Sequence, residues 1–116
     1  LSRSTYFGGR KPEDGRIDWK RKNIEIYNLA RAVTHPWPGA FCFLRQKKVF
    51  IWQCKPLPVD GLSKPGNLIS FDQEGMLLAT GKGSLLLKIC QLEGEEEVNG
   101  YEFAQKYSLR KGEFFT

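Results

Sequence analysis

The stretch AFCFLRQKKVFIWQC, residues 40–54, decides how this chain is read. Two apolar runs, AFCFLR and KKVFIWQC, stand too close together to be separate helices, and the polar residues between them predict a β-hairpin turning about Gln46 and Lys47. In the second arm Val49 and Ile51 fall on one side, while Phe50, Trp52 and Cys54 fall on the other, because successive strand side chains alternate. Both sides are apolar, so this strand is expected to be buried on both faces.

Downstream the same grammar repeats. A loop, KPLPVDGLSKPG (55–66), leads to NLISF (67–71), a turn DQEG (72–75), MLLAT (76–80), a glycine-bounded turn GKGS (81–84), and LLLKICQL (85–92). Five short strands with this punctuation suit a small closed or partly closed barrel. Leu85, Leu87 and Ile89 share one face of the last strand, which is expected to point inward. In the tail, Phe103, Ala104 and Tyr107 fit a short helix capped by Asn99.

Upstream the period changes. Ile26, Leu29, Ala30 and Val33 recur at helical spacing, one apolar stripe on an amphipathic helix with Asn23 as its N-cap and Glu25 at the positive end of its dipole. The helix ends near Val33, because His35 and Trp37 each precede a proline and are pushed out of the helical region. THPWPG (34–39) is therefore a stiff, extended exit, with Gly39 taking the turn into the first strand. Before the helix, STYFGGRKPEDGRIDW (4–19) is broken too often by glycine and proline for regular structure. The organisation expected is an arm over residues 1–22 and a mainly β domain with flanking helices over 23–116.

Length and composition set outer limits. The chain has 116 residues with 41% hydrophobic content, enough for one small core. It begins at Leu1 and its one methionine, Met76, lies within a predicted strand, so a piece of a longer polypeptide is expected. No apolar run reaches the roughly 20 residues of a membrane helix, and the first residues lack the apolar core of a signal peptide. No membrane partner is expected. Cys42, Cys54 and Cys90 are odd in number and show no metal-ligand spacing, which favours reduced, buried thiols in a cytoplasmic protein.

The formal charge is +5. Basic residues gather in the first 22, at Arg3, Arg10, Lys11, Arg16, Lys20, Arg21 and Lys22, and recur at Arg45, Lys47 and Lys48, while acids gather in EGEEE (93–97). A basic face of this kind suits a polyanion, although a merely solvated surface is an equal reading. His35 is the one residue suited to acid–base work near neutral pH, and it lacks a nucleophile beside it in sequence, so a structural corner is the favoured role. GKGS has neither the upstream glycine nor the following helix of a phosphate loop and reads as a hairpin turn. EGEEE lacks the ligand spacing of a calcium loop, so no metal site is expected. Tyr6, Phe7, Trp19, Trp37 and Trp52 could stack bases along a basic groove, but Trp37 and Trp52 fit a core better, and Tyr6 with Trp19 fits docking of the arm.

TYFGGRKPEDGRIDW (5–19), the helix IYNLARAV (26–33) and HPWPGAF (35–41), in that order, resemble the C-terminal domain of the formyl-tetrahydrofolate-dependent formyltransferases. That family includes enzymes acting on methionyl-tRNA and on UDP-4-amino-4-deoxy-L-arabinose. The resemblance is strongest over residues 5–41 and continues more weakly through the barrel. It implies a five-stranded barrel similar to the oligonucleotide/oligosaccharide-binding fold, following an N-terminal formyl-transfer domain of the same polypeptide that carries the catalytic asparagine, histidine and aspartate. His35 is then not catalytic, and this chain holds neither a catalytic residue nor a cofactor of its own, formyl-tetrahydrofolate being the donor used by the parent enzyme. FGGRKPEDG (7–15) is closer to the amino-sugar branch, which implies a nucleotide-linked amino sugar as acceptor and a substrate rim made by Phe7, Arg10, Pro12 and Asp14. The alternative is a tRNA-binding domain in which Arg10, Lys11, Lys20, Arg21, Lys22 and Lys48 line the RNA backbone.

Overall fold

A computed structural model describes residues 15–33, 39–59 and 64–116. The elements are α1 (Asn23–Ala32), β1 (Ala40–Leu44), β2 (Lys47–Leu57), β3 (Leu68–Asp72), β4 (Gly75–Ala79), β5 (Ser84–Leu92), β6 (Val98–Asn99) and α2 (Gly100–Lys106). The strands form one antiparallel sheet in the order β1-β2-β5-β4-β3, with β6 added to β5. The five expected strands are all present. β6 is the addition, and its two residues are too few to show an alternating pattern in sequence.

The ends of that path, β1 and β3, would be open edges. The C-terminal segment joins them: Leu68 N–H donates to Glu113 O (2.7 Å), Phe115 N–H to Gly66 O (2.8 Å) and Thr116 N–H to Phe43 O (2.8 Å). Pairing unused edge groups removes the exposed template that open strands present. The sheet thereby becomes barrel-like, with Phe115, only 1% exposed, part of the same buried cluster as Val49, Ile51, Leu68, Leu78 and Leu87. α1 packs on β2, and α2 lies against β3, β4 and β5.

Local details depart from the sequence reading at several points. The first hairpin turns at Arg45 and Gln46, one residue earlier than expected, because Leu44 and Lys47 close the ladder. Both turn residues take positive φ, 51° and 68°, the twist that a two-residue hairpin requires. The Arg45 guanidinium fixes the turn by donating to Tyr107 O (3.0 Å) and pairing with the Glu113 carboxylate. In β5 the inward set is Leu85, Leu87 and Cys90, whereas Ile89 is half-buried. The cause is an irregularity in the β2–β5 register between Ile51 and Cys54, since a one-residue slip exchanges the two faces. β2 is fully buried on the Val49–Ile51 side and half-buried on the side of Phe50, Trp52 and Cys54.

The N-cap of α1 is Lys22, not Asn23. Glu25 accepts from the Lys22 N–H (3.1 Å), half of a capping box, which frees the Asn23 amide to donate to Leu57 O (2.8 Å) and Ser84 O (3.1 Å) and pin the helix to β2 and β5. At the other helix the Asn99 side chain caps α2 as expected, accepting from Glu102 N–H at 2.8 Å. Ile17 and Trp19, from the stretch read as the arm, are buried at 2% and 4% exposure.

Candidate functional site

The base of the arm is built into the barrel. Ile17 N–H donates to Phe41 O (2.8 Å) in a parallel bridge between Arg16 and Phe41, on the edge of β1 that Thr116 also uses. Gly15 lies so close to Gly39 that a Cβ there would stand 2.5 Å from the Gly39 oxygen. The start of the described arm and the exit of the THPWPG corner are thus packed on each other. Phe7, Arg10, Lys11, Pro12 and Asp14, and with them Tyr6, His35 and Trp37, lie outside the described residues.

The remaining sequence candidates fall in separate places. Asp18 turns the chain back by accepting from Lys20 N–H (3.0 Å), leaving the Lys20 side chain exposed. Arg21 pairs with Glu25 at 3.5 Å, and both side chains are largely in water, where such pairs contribute little. Lys22 sits opposite Lys82 in an isolated bridge and lines a cavity of about 470 Å³ with Ile24 and Pro56. Lys48 lies on the outer face of β1 and β2, its Nζ 4.2 Å from the centroid of the Phe41 ring and 5.3 Å from that of Phe50.

Lys48 has a companion that the sequence reading did not single out. The Arg16 guanidinium lies 4.8 Å over the Phe43 ring, and Phe41 and Phe43 meet edge to face at 5.9 Å. Phe50 stacks on Trp52 with centroids 5.8 Å apart, and the Trp52 indole donates to Gln91 Oε1 at 2.9 Å. Two cations on aromatic faces, each contact worth about 0.5–1 kcal/mol at exposed sites, organise this surface. The alternation of Phe41 and Phe43 along β1 was the available signal, but nothing in sequence places Arg16 beside them. The acidic turn adjoins the same surface, Glu93 N–H donating to Lys48 O at 2.9 Å.

Reactive chemistry is muted among the described residues. Burial pushes the Cys54 and Cys90 thiols up to about 12, and burial followed by the neighbouring Cys90 pushes Cys42 higher still. All three are neutral near pH 7 and poor nucleophiles or ligands. No group of three His, Cys, Asp or Glu side chains gathers among the described residues. The GKGS segment is a turn between β4 and β5, closed by Thr80 Oγ1 donating toward Lys82 O (2.7 Å) and Gly83 O (2.9 Å).

A family model described as the C-terminal domain of formyl transferases matches residues 10–108. This chain belongs to that family. As a formyl transferase C-terminal domain it also resembles solved structures of HypX from Aquifex aeolicus. A multiply substituted HypX variant superposes with a TM-score of 0.71 at 17% identity, over 90% of this chain and 19% of the HypX chain. HypX in complex with tetrahydrofolic acid gives a TM-score of 0.70 over 92% of this chain, again at 17% identity, with 21% of that chain covered. Likeness at this identity is likeness of fold. The formyl transferase domain described here spans about a fifth of the length of those HypX chains. No described helix is long and apolar enough to cross a membrane.

Proposed function

We propose that this chain is the noncatalytic C-terminal domain of a cytoplasmic enzyme that moves a formyl group from formyl-tetrahydrofolate to a primary amine on a nucleotide-linked amino sugar. The observation that carries the proposal is the family match over residues 10–108. Transfer requires a neutral amine, a base and donors for the tetrahedral oxyanion, a set supplied in this reading by the N-terminal formyl-transfer domain of the same polypeptide. The HypX complex with tetrahydrofolic acid accords with a folate donor held there.

The barrel's part is to hold the arm. Ile17 is bonded to β1 and Gly15 packs on Gly39, so residues 15–17 are fixed on the domain. A rim of Phe7, Arg10, Pro12 and Asp14 anchored in this way would order the acceptor side of the active site. In the full-length enzyme, Arg10→Ala is expected to raise KM for the acceptor while leaving KM for the folate donor unchanged. Equal changes in both, or in neither, would remove the rim from the account.

One observation favours the tRNA reading, the Arg16 and Lys48 cations over aromatic rings, a pairing that single-strand binders use. Against it stand the Arg21–Glu25 pair, the separate placement of Lys22 and the acidic turn beside Lys48. Binding to the tRNA backbone would weaken with salt, the logarithm of the binding constant falling by about 0.9 per phosphate contact on duplex and about 0.7 on single strands.

A further inference from the structure

Trp52, on the outer face of β2, is held in place by more than burial. Neither it nor Phe50 belongs to the buried core cluster or to the residues packed against that cluster. Its ring stacks on Phe50, with centroids 5.8 Å apart and planes 22° from parallel, and its indole N–H donates to Gln91 Oε1 at 2.9 Å. Gln91 is tied down in turn, its Nε2 donating to Glu95 O (2.7 Å) in the turn after β5, which Glu95 N–H closes by donating to Leu92 O (2.9 Å). A half-buried indole N–H needs a partner, and this partner also fixes how the ring is turned.

The ring so fixed bears on the corner that leads into β1. A Cβ at Gly39 would stand 2.7 Å from Trp52 Cη2 and 2.8 Å from Cζ3, so the Gly39 backbone lies directly against the six-membered ring. Gly39 also has a φ of 98°, and glycine alone meets both demands without strain. Its carbonyl oxygen would in turn stand 2.5 Å from a Cβ on Gly15. Two residues further, Ile17 N–H donates to Phe41 O at 2.8 Å. Contacts therefore run unbroken from the Glu95 turn through Gln91, Trp52 and Gly39 to Gly15, the base of the arm. Groups packed this closely pass on a displacement, because there is no void between them to absorb it.

We propose that Trp52 is a positioning residue for the acceptor: latched by Gln91, it holds Gly39 and through it Gly15, and so sets where the arm begins. This rests on the reading of the arm as an acceptor rim. An arm that occupies its productive place for only a fraction of the time lowers the apparent affinity for the acceptor by that fraction, and leaves the donor, held by the N-terminal domain in that reading, unaffected. Trp52→Phe removes the indole N–H and the ring edge on Gly39 but keeps an aromatic beside Phe50. Gln91→Leu removes the latch alone.

The test joins steady-state kinetics of the full-length enzyme, with formyl-tetrahydrofolate and whichever acceptor it turns over, UDP-linked amino sugar or methionyl-tRNA, to hydrogen exchange read by mass spectrometry. Both variants are expected to raise KM for the acceptor about twofold to tenfold, the range for loss of one neutral hydrogen bond, with kcat and KM for the folate unchanged. Exchange should quicken over residues 15–22 and not over residues 68–79, which span β3 and β4, whereas a merely structural role would quicken both. Gln91 is half-buried, so Gln91→Leu keeps the test decisive if Trp52→Phe fails to fold. Equal quickening of the two segments, or an acceptor KM that neither variant changes, overturns the proposal. Arg10→Ala is measured beside them and tests the rim itself: an acceptor KM raised by Trp52→Phe but untouched by Arg10→Ala removes the rim residue and keeps Trp52 in its role.

Discussion

Phe114 and Phe115 are neighbours in sequence, and the structure assigns them opposite energetic weight. Phe115 is 1% exposed and packs edge-on against Trp19, whereas Phe114 is 49% exposed. Truncating a buried phenylalanine removes its transfer free energy and leaves a cavity, so Phe115→Ala is expected to cost about 3–5 kcal/mol. The loss falls on the segment that hydrogen-bonds both β1 and the approach to β3. For a domain near this size about 1 kcal/mol corresponds to roughly 4 °C in Tm, which places the expected loss on the order of 12–20 °C. Phe114→Ala, in contrast, should stay within about 0.5 kcal/mol, as surface changes do. Thermal unfolding followed by far-ultraviolet circular dichroism, with urea midpoints as a check, measures both variants against the parent chain. A Phe115→Ala variant that melts within about 2 °C of the parent would refute closure of the sheet by the C-terminal segment, the threshold being about half a kcal/mol on the same conversion.

Further outcomes follow from other sites. A Cβ at Gly81 would stand 1.8 Å from Lys20 O, a backbone atom, so Gly81→Ala must separate the GKGS turn from residues 20–21 and is expected to destabilise by about 1–3 kcal/mol in urea unfolding. Gln46 holds a φ of 68°, and Gln46→Gly should relieve that strain and raise stability by up to about 1 kcal/mol, the same assay reading the opposite sign. Thiols whose folded pKa is raised stabilise the fold fully below the unfolded value, near 8.5, and that contribution is lost as pH rises toward about 12. Stability should therefore fall between about pH 9 and 10.5, less steeply in Cys54→Ala, when urea midpoints are measured across that range.

The strands were legible because apolar runs were short and bounded by glycine or by polar turn residues; DQEG became a two-residue turn in which Asp72 Oδ1 accepts from Glu74 N–H at 2.8 Å. α1 was legible from its stripe, Ile26, Ala30 and Val33 all being buried. The inward face of β5 was not, because the β2–β5 irregularity that exchanges Ile89 for Cys90 arises from pairing between strands far apart in sequence. Nor was barrel closure, since Phe114 and Phe115 reach β1 and Asn67 through backbone hydrogen bonds that any residue could make. The Arg16 neighbourhood was hidden for the same reason: a parallel bridge to Phe41 leaves no periodic trace, and although Trp19 was read as docking the arm, nothing marked Ile17, in the same stretch, as part of the core.

The proposed function turns on which acceptor the full-length protein formylates. The most direct measurement offers the full-length enzyme formyl-tetrahydrofolate with a UDP-linked amino sugar and with methionyl-tRNA in parallel, each followed by appearance of the formylated product. Turnover of the amino sugar, with none of the tRNA, is the predicted result and makes the arm anchored at Gly15 and Ile17 a rim for a small acceptor. Turnover of the tRNA alone would contradict it and make the Arg16 and Lys48 surface the one that matters.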